Sequence, residues 1–184
     1  MSASIRFRFR PEKFVNAVAY LAQNCPGATK LKICKLLYFA DKEHLTRFGR
    51  PIIGDHYYKL PHGPIPSRGL DILRGRGTPA EKALFEQYIS VIGNSVHPKK
   101  RPNLKAFSKS DVEVLRSTSN RYGKLTPAKL RSLSHAEAAW RGAEENGAMD
   151  YSLFFGDSEE QRRMKQFVEA EQESRDVVEP LAGR

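Results

Sequence analysis

The stretch from about residue 30 to 47 constrains the fold most. Its apolar positions, Leu31, Ile33, Cys34, Leu36, Leu37, Phe39 and Ala40, cover more than one face of a helix. A helix that is apolar on most sides belongs in the middle of a structure, so other elements must surround it. Thr29 is its expected cap and Gly49-Arg50-Pro51 its stop. With 184 residues the chain can build one such core without disulfides or metals. Its two cysteines, Cys25 and Cys34, are too few for a disulfide framework or a Cys-rich zinc module.

The other elements follow from breakers and caps. Ile5-Arg6-Phe7-Arg8-Phe9-Arg10 alternates apolar and basic, which predicts an edge strand or arm over residues 1–10. Pro11 opens a helix over 11–24, with Phe14, Val15, Val18 and Leu21 on one side. Ile52 to Leu60 reads as a short strand or hairpin, and Pro61 to Ser67 as a stiff, turn-rich connection. Helices are then expected over about 67–74, 78–91, 110–121 and 127–132. Capping boxes are read at Thr78-Glu81, Ser110-Glu113 and Ser134-Glu137, the last opening a helix with Trp140. Residues 93–103 read as a basic loop, 104–107 as a strand, and Asp157 starts a last helix. The expected fold is mostly α (α+β), a single compact helical domain with two or three short β-strands. Its body spans 10–145, an acidic helical extension 146–175, and a disordered tail 176–184.

The net charge is +10, but it is unevenly spread. Residues 1–133 hold 25 basic and 9 acidic residues, whereas residues 134–184 hold 6 and 12. A basic body suggests an anionic partner, either an acidic protein or nucleic acid. No apolar run reaches the roughly 18 residues of a membrane span. The N-terminal arginines precede no apolar stretch of a signal peptide, so no membrane partner is expected and the cytoplasm is the expected compartment.

Motifs for catalysis are missing: there is no P-loop, no G-x-S-x-G and no G-x-G-x-x-G. Three weaker constellations remain. Residues 11–47 have the outline of a helix-turn-helix with Lys30, Lys32 and Lys35 at the reading end, but that helix lacks a fully wet face. Arg6, Arg8 and Arg10, between phenylalanines, suit either a soluble edge or a nucleic-acid arm. Asp41, His44, Asp55 and His62 are candidate ligands for a divalent metal, or plain polar contacts. No cofactor is expected.

Three blocks stand out in order: Lys35-Leu36-Leu37-Tyr38-Phe39-Ala40-Asp41, then Gly49-Arg50-Pro51-Ile52-Ile53-Gly54-Asp55, then Pro61-His62-Gly63-Pro64-Ile65-Pro66-Ser67. They closely resemble the Panacea domain of the SocA-like antitoxins, a family that includes phage-associated GepA-type proteins. Phe107 to Leu115, Tyr122-Gly123 and Ser134 to Trp140 resemble the family's second half. His62 stands where many members have an aromatic residue.

The resemblance implies a bacterial, non-enzymatic antitoxin of a two-gene toxin–antitoxin system. It would neutralise the cognate toxin from the adjacent gene by direct binding, or deliver it to the ClpXP protease. A nucleic-acid-binding regulator is the alternative. The expected partner surface comprises Arg50, Asp55, Tyr57, Tyr58, Pro61, His62, Gly63, Pro64, Pro66 and Ser67. Prolines fix its backbone and aromatic rings supply contact area. The opposing reading is that Asp55 and Ser67 are caps and the prolines stiffen a core-packed loop.

Overall fold

A computed structural model describes residues 5–178, with side chains through residue 174. Residues 5–10 run extended, with Ile5, Phe7 and Phe9 turned inward and Arg6, Arg8 and Arg10 exposed. The alternation is as expected, but the segment pairs with no strand among the described residues. It is tied down by the Arg10 N–H, which donates to the Ile53 carbonyl at 2.9 Å.

Helix α1 (Pro11–Asn24) begins on its proline and buries Phe14, Val15, Val18 and Leu21. Helix α2 (Lys30–Phe48) is capped by the Thr29 hydroxyl and stopped by Gly49 in the left-handed region. It buries thirteen of its nineteen residues. Strands β1 (Tyr57–Leu60) and β2 (Gly63–Pro66) form an antiparallel hairpin, followed directly by α3 (Ser67–Leu73). Helix α2 packs against α1, α3 and β2. It also packs against α5 (Lys109–Tyr122), α6 (Pro127–His135) and α8 (Glu159–Val178). The helix that was apolar on most sides is therefore enclosed on most sides.

Between α3 and α5 lie α4 (Pro79–Tyr88) and a second hairpin, β3 (Ile89–Ile92) with β4 (Ser95–Pro98). Helix α7 (Ala138–Gly142) and a 3-10 turn, Tyr151–Phe154, lead to α8. Trp140 sits partly buried at the margin of the core, stacked on His135 at 3.8 Å. No helix among the described residues is long and apolar enough to cross a membrane.

Five local expectations need correction. The connection 61–67 is mostly a strand. Prolines fit there because the β1 residues facing them direct their polar groups the other way: the Lys59 N–H donates to Gly147, and the Tyr57 carbonyl accepts from Met149. The α4 helix ends at Tyr88 rather than 91, since Ile89 to Ile92 turns back at Gly93-Asn94 onto β4, within the expected loop. Residues 104–106 are a 3-10 turn capped by Asn103, not a strand. The box on α5 is Ser108 with Asp111, two residues earlier than read. Ser134 opens no helix, because its hydroxyl donates to the Arg131 carbonyl within α6. As for the tail, α8 reaches Val178, and residues 179–184 lie outside the described residues.

Candidate functional site

The three sequence blocks meet around the β1–β2 hairpin, and buried polar residues join them. Asp41, on α2, is fully buried. Its Oδ1 accepts the N–H groups of Ile52 at 2.8 Å and Ile53 at 3.0 Å, and its Oδ2 accepts the Tyr57 hydroxyl at 3.1 Å. Burial pushes this carboxyl up to about 7, against those three bonds. Asp55, also fully buried, accepts the N–H groups of His56 at 2.8 Å, Arg68 at 3.1 Å and Gly69 at 2.7 Å. Two of these are free N–H groups of the first turn of α3, so the carboxylate fixes where that helix starts. Burial raises this carboxyl too. The Tyr151 hydroxyl donates to the Asp55 carbonyl.

Lys35 is the buried cation of the first block. Its Nζ donates to the Pro64 carbonyl at 2.9 Å, and burial pushes the ammonium down to about 8. Gly63 lies between Lys35 and α6 at φ +95°. A Cβ there would stand 2.7 Å from Ser134 Oγ and 2.9 Å from Lys35 Cε. Only glycine lets the strand lie this close.

A second buried carboxylate cluster sits one turn further along α2, at His44. Asp111 accepts the Ser108 N–H at 2.9 Å and pairs with Lys13, His44 and Arg50. Burial raises its pKa, but the bonds from His44, Lys13 and Ser108 and the Arg50 charge outweigh it. They hold the carboxyl well below the usual carboxylate range. His44 is used on both nitrogens: Nδ1 lies 2.6 Å from the Arg50 carbonyl and Nε2 lies 3.0 Å from Asp111 Oδ1.

Few of the expected contact residues reach the surface. Tyr58, Pro61 and His62 are exposed, at the tip and outer side of the hairpin. Arg50 is half-buried, bonded to Ser108 at 3.1 Å and paired with Asp111 at 3.0 Å. Ser67 is half-buried, and its N–H donates to the His56 carbonyl. Asp55, Tyr57, Gly63, Pro64 and Pro66 are buried. Their contacts are internal: Asp55 caps α3, Tyr57 binds Asp41, and the glycine and prolines pack on α2 and α6. Lys35, Asp111 and Tyr151 complete the arrangement. The sequence reading missed Asp111 and Tyr151 and gave Lys35 only a candidate nucleic-acid role, although Lys35 heads the first block and Asp111 stands three residues after a serine.

The candidate metal ligands do not converge. Asp41 spends its acceptors and His44 both its ring nitrogens on the partners above, and His62 is exposed at the hairpin tip. Among the described residues no group of three or more His, Cys, Asp or Glu side chains could hold a metal ion. The helix-turn-helix reading is corrected as well, because Lys32 and Lys35 are buried and donate to the carbonyls of Pro26 and Pro64. Cys34 is fully buried, and burial pushes its thiol up to about 12.

No curated protein and no solved structure matches the chain. The family model for the antitoxin SocA-like, Panacea domain matches residues 33–141, more than half of the chain. That span carries Lys35, Asp41, Asp55, Tyr57, the whole first hairpin and Asp111, so the chain belongs to the SocA-like antitoxin family with a Panacea domain.

Proposed function

We propose that this chain is a non-enzymatic antitoxin that neutralises a toxin protein, encoded in the adjacent gene of a bacterial genome, by binding it directly in the cytoplasm. The observation that carries this reading is the fate of the motif's polar groups. Asp41, Asp55, Lys35 and Tyr57 are all used to hold a short hairpin rigid, and Tyr58, Pro61 and His62 are presented on it. A preorganised tip loses little conformational entropy on binding. Its aromatic and imidazole rings combine apolar area with polar edges. The basic body favours a partner with an acidic face and an association that weakens as salt rises.

Co-expression with the product of the neighbouring gene tests this. The neighbour alone is expected to stop growth, and this chain to restore growth while forming a stable complex with it. Restored growth with loss of the neighbour's product from the cell would replace steric neutralisation by proteolytic delivery, as to ClpXP. A harmless, unbound neighbour would refute the toxin pairing.

A further inference from the structure

A cleft of about 530 Å³ opens between the end of α3, one side of α4 and strand β3, away from the first hairpin. Its floor is apolar: Ile72, Leu73, Phe85 and Ile89 are all buried. Around it stand Lys30, Arg74, Lys82 and Lys99. Among the described residues, Lys30, Arg74 and Lys82 pair with no carboxylate, and Lys99 Nζ donates to the Glu86 carbonyl. The nearby acids Asp71 and Glu81 are already paired with Arg76 and Arg68. Glu86 is left as the one carboxylate lining the cleft against four cations.

The cleft also borders an open strand edge. Val91 faces Val96 in the second hairpin. The Val96 N–H donates outside the hairpin, to the Ala28 carbonyl, while the Tyr88–Lys99 pair, three pairs along the ladder, is bonded through the Lys99 N–H to the Tyr88 carbonyl. Bonded and non-bonded pairs alternate in an antiparallel ladder, so the Val91 N–H and C=O point away from β4. The outer edge of β4 is covered by residues 28–30. The outer edge of β3 is covered by no strand among the described residues.

We propose that this cleft docks an extended acidic segment of the toxin partner, which adds as a strand to β3. The segment sets an apolar side chain over Phe85 and Ile89 and its carboxylates among Lys30, Arg74 and Lys82. The proposal rests on the antitoxin reading above and gives the partner a recognisable chemistry. Backbone bonds to an edge supply affinity, and the side-chain pockets beside it supply selection. Single-stranded nucleic acid fits less well, because it needs exposed ring faces for its bases. The one ring of this floor, Phe85, is buried.

The test uses the full ¹⁵N-labelled chain and a capped peptide, Glu-Val-Glu-Leu-Glu-Val-Glu. Amide shifts are expected at Lys30, Val91 and Gly93, with an affinity that weakens with salt. The Arg74→Glu/Lys82→Glu double variant, altered at an exposed and a half-buried position that pair with no carboxylate among the described residues, should bind about tenfold more weakly with little change in melting temperature. Shifts elsewhere, equal binding by the double variant, or tighter binding of an oligothymidylate in the same cleft would overturn the proposal. Complex formation with the neighbouring gene's product separates the two readings. If both forms bind it equally, the cleft assignment falls and the antitoxin reading stands. If the peptide docks in the cleft but wild type binds no neighbour, the toxin is removed as the source of the segment.

Discussion

Asp55 Oδ2 accepts the Gly69 N–H at 2.7 Å and so ties the entry of the first hairpin to the helix that leaves it. With Arg68 and His56 on the other oxygen, one buried carboxylate sets the geometry of both ends of the hairpin. Replacing it by alanine leaves three N–H groups without their acceptor. Asp55→Ala should lose about 3 kcal/mol of stability, and Asp55→Asn less, measured by urea unfolding.

The buried carboxylates give the stability a pH dependence with two opposite limbs. Asp41, at about 7, and Asp55 are raised by burial, so the folded state holds their protons more tightly than the unfolded chain does. Their contribution falls as pH rises from about 4, the unfolded carboxylate value, through about 7. Asp111 is lowered, so its contribution is present above about 4 and is lost as pH falls below that. Urea midpoints measured against pH should therefore pass through a maximum in mild acid. Asp41→Asn should flatten the limb between 4 and 7, with the Tyr57 hydroxyl turning to accept from the new amide. An unaltered slope in that variant would exclude Asp41 as its source.

Two glycines at positive φ make a controlled comparison. At Gly63 a methyl group would strike Ser134 and Lys35, so Gly63→Ala combines backbone strain with overpacking and should cost about 3 kcal/mol. At Gly93, φ +59°, the same methyl meets nothing within 4 Å, and the cost should be about 1 kcal/mol. Parallel denaturation curves of the two variants check the difference.

Adjacent tyrosines on β1 should separate binding from folding. Tyr58 is exposed and Tyr57 is buried with its hydroxyl on Asp41. Tyr58→Ala and His62→Ala should each weaken the toxin complex by about tenfold or more while leaving the melting temperature unchanged. Tyr57→Phe should lower stability by about 1 kcal/mol and leave toxin affinity nearly intact. Calorimetry on the purified complexes distinguishes the two patterns.

The thiols should be silent in the native state. Cys34 is fully buried and raised to about 12, and burial raises Cys25 as well. A thiolate is the reactive form, so neither should be labelled by an alkylating reagent at neutral pH until denaturant is added. Rapid native labelling at Cys34 would mean that α2 opens far more often than its packing allows.

Most helix starts with a proline or threonine cap were legible, whereas the serine boxes read at Ser110 and Ser134 were not the true caps. Pro11, Thr29, Thr78 and Thr126 all stand at the predicted ends. The second hairpin was hidden because Phe85 through Ile92 continues the apolar spacing of a helix, and only Gly93-Asn94 hints at a reversal. Strand β2 was hidden by its prolines. They are tolerated because Gly147 and Met149, more than eighty residues on, take the polar groups of Lys59 and Tyr57. The site divided in the same way. That Asp55, Tyr57 and the Gly63–Pro66 strand matter was visible in the motif. Whether they face a partner or the core depended on Gly69, Asp41, Lys35 and Tyr151, and no local pattern reports those contacts.

The clasp of residues 146–149 on β1 bears on how the protein is cut for experiments. The family match ends at residue 141 and begins at 33, yet Met149 and Tyr151 hold the hairpin from beyond one boundary. Helix α1 covers α2 from beyond the other. A fragment trimmed to the matched residues would expose the apolar flank of α2 and an unsatisfied strand edge, the two surfaces on which chains stick to one another. The recognisable unit of inheritance is thus smaller than the unit that can stay in solution.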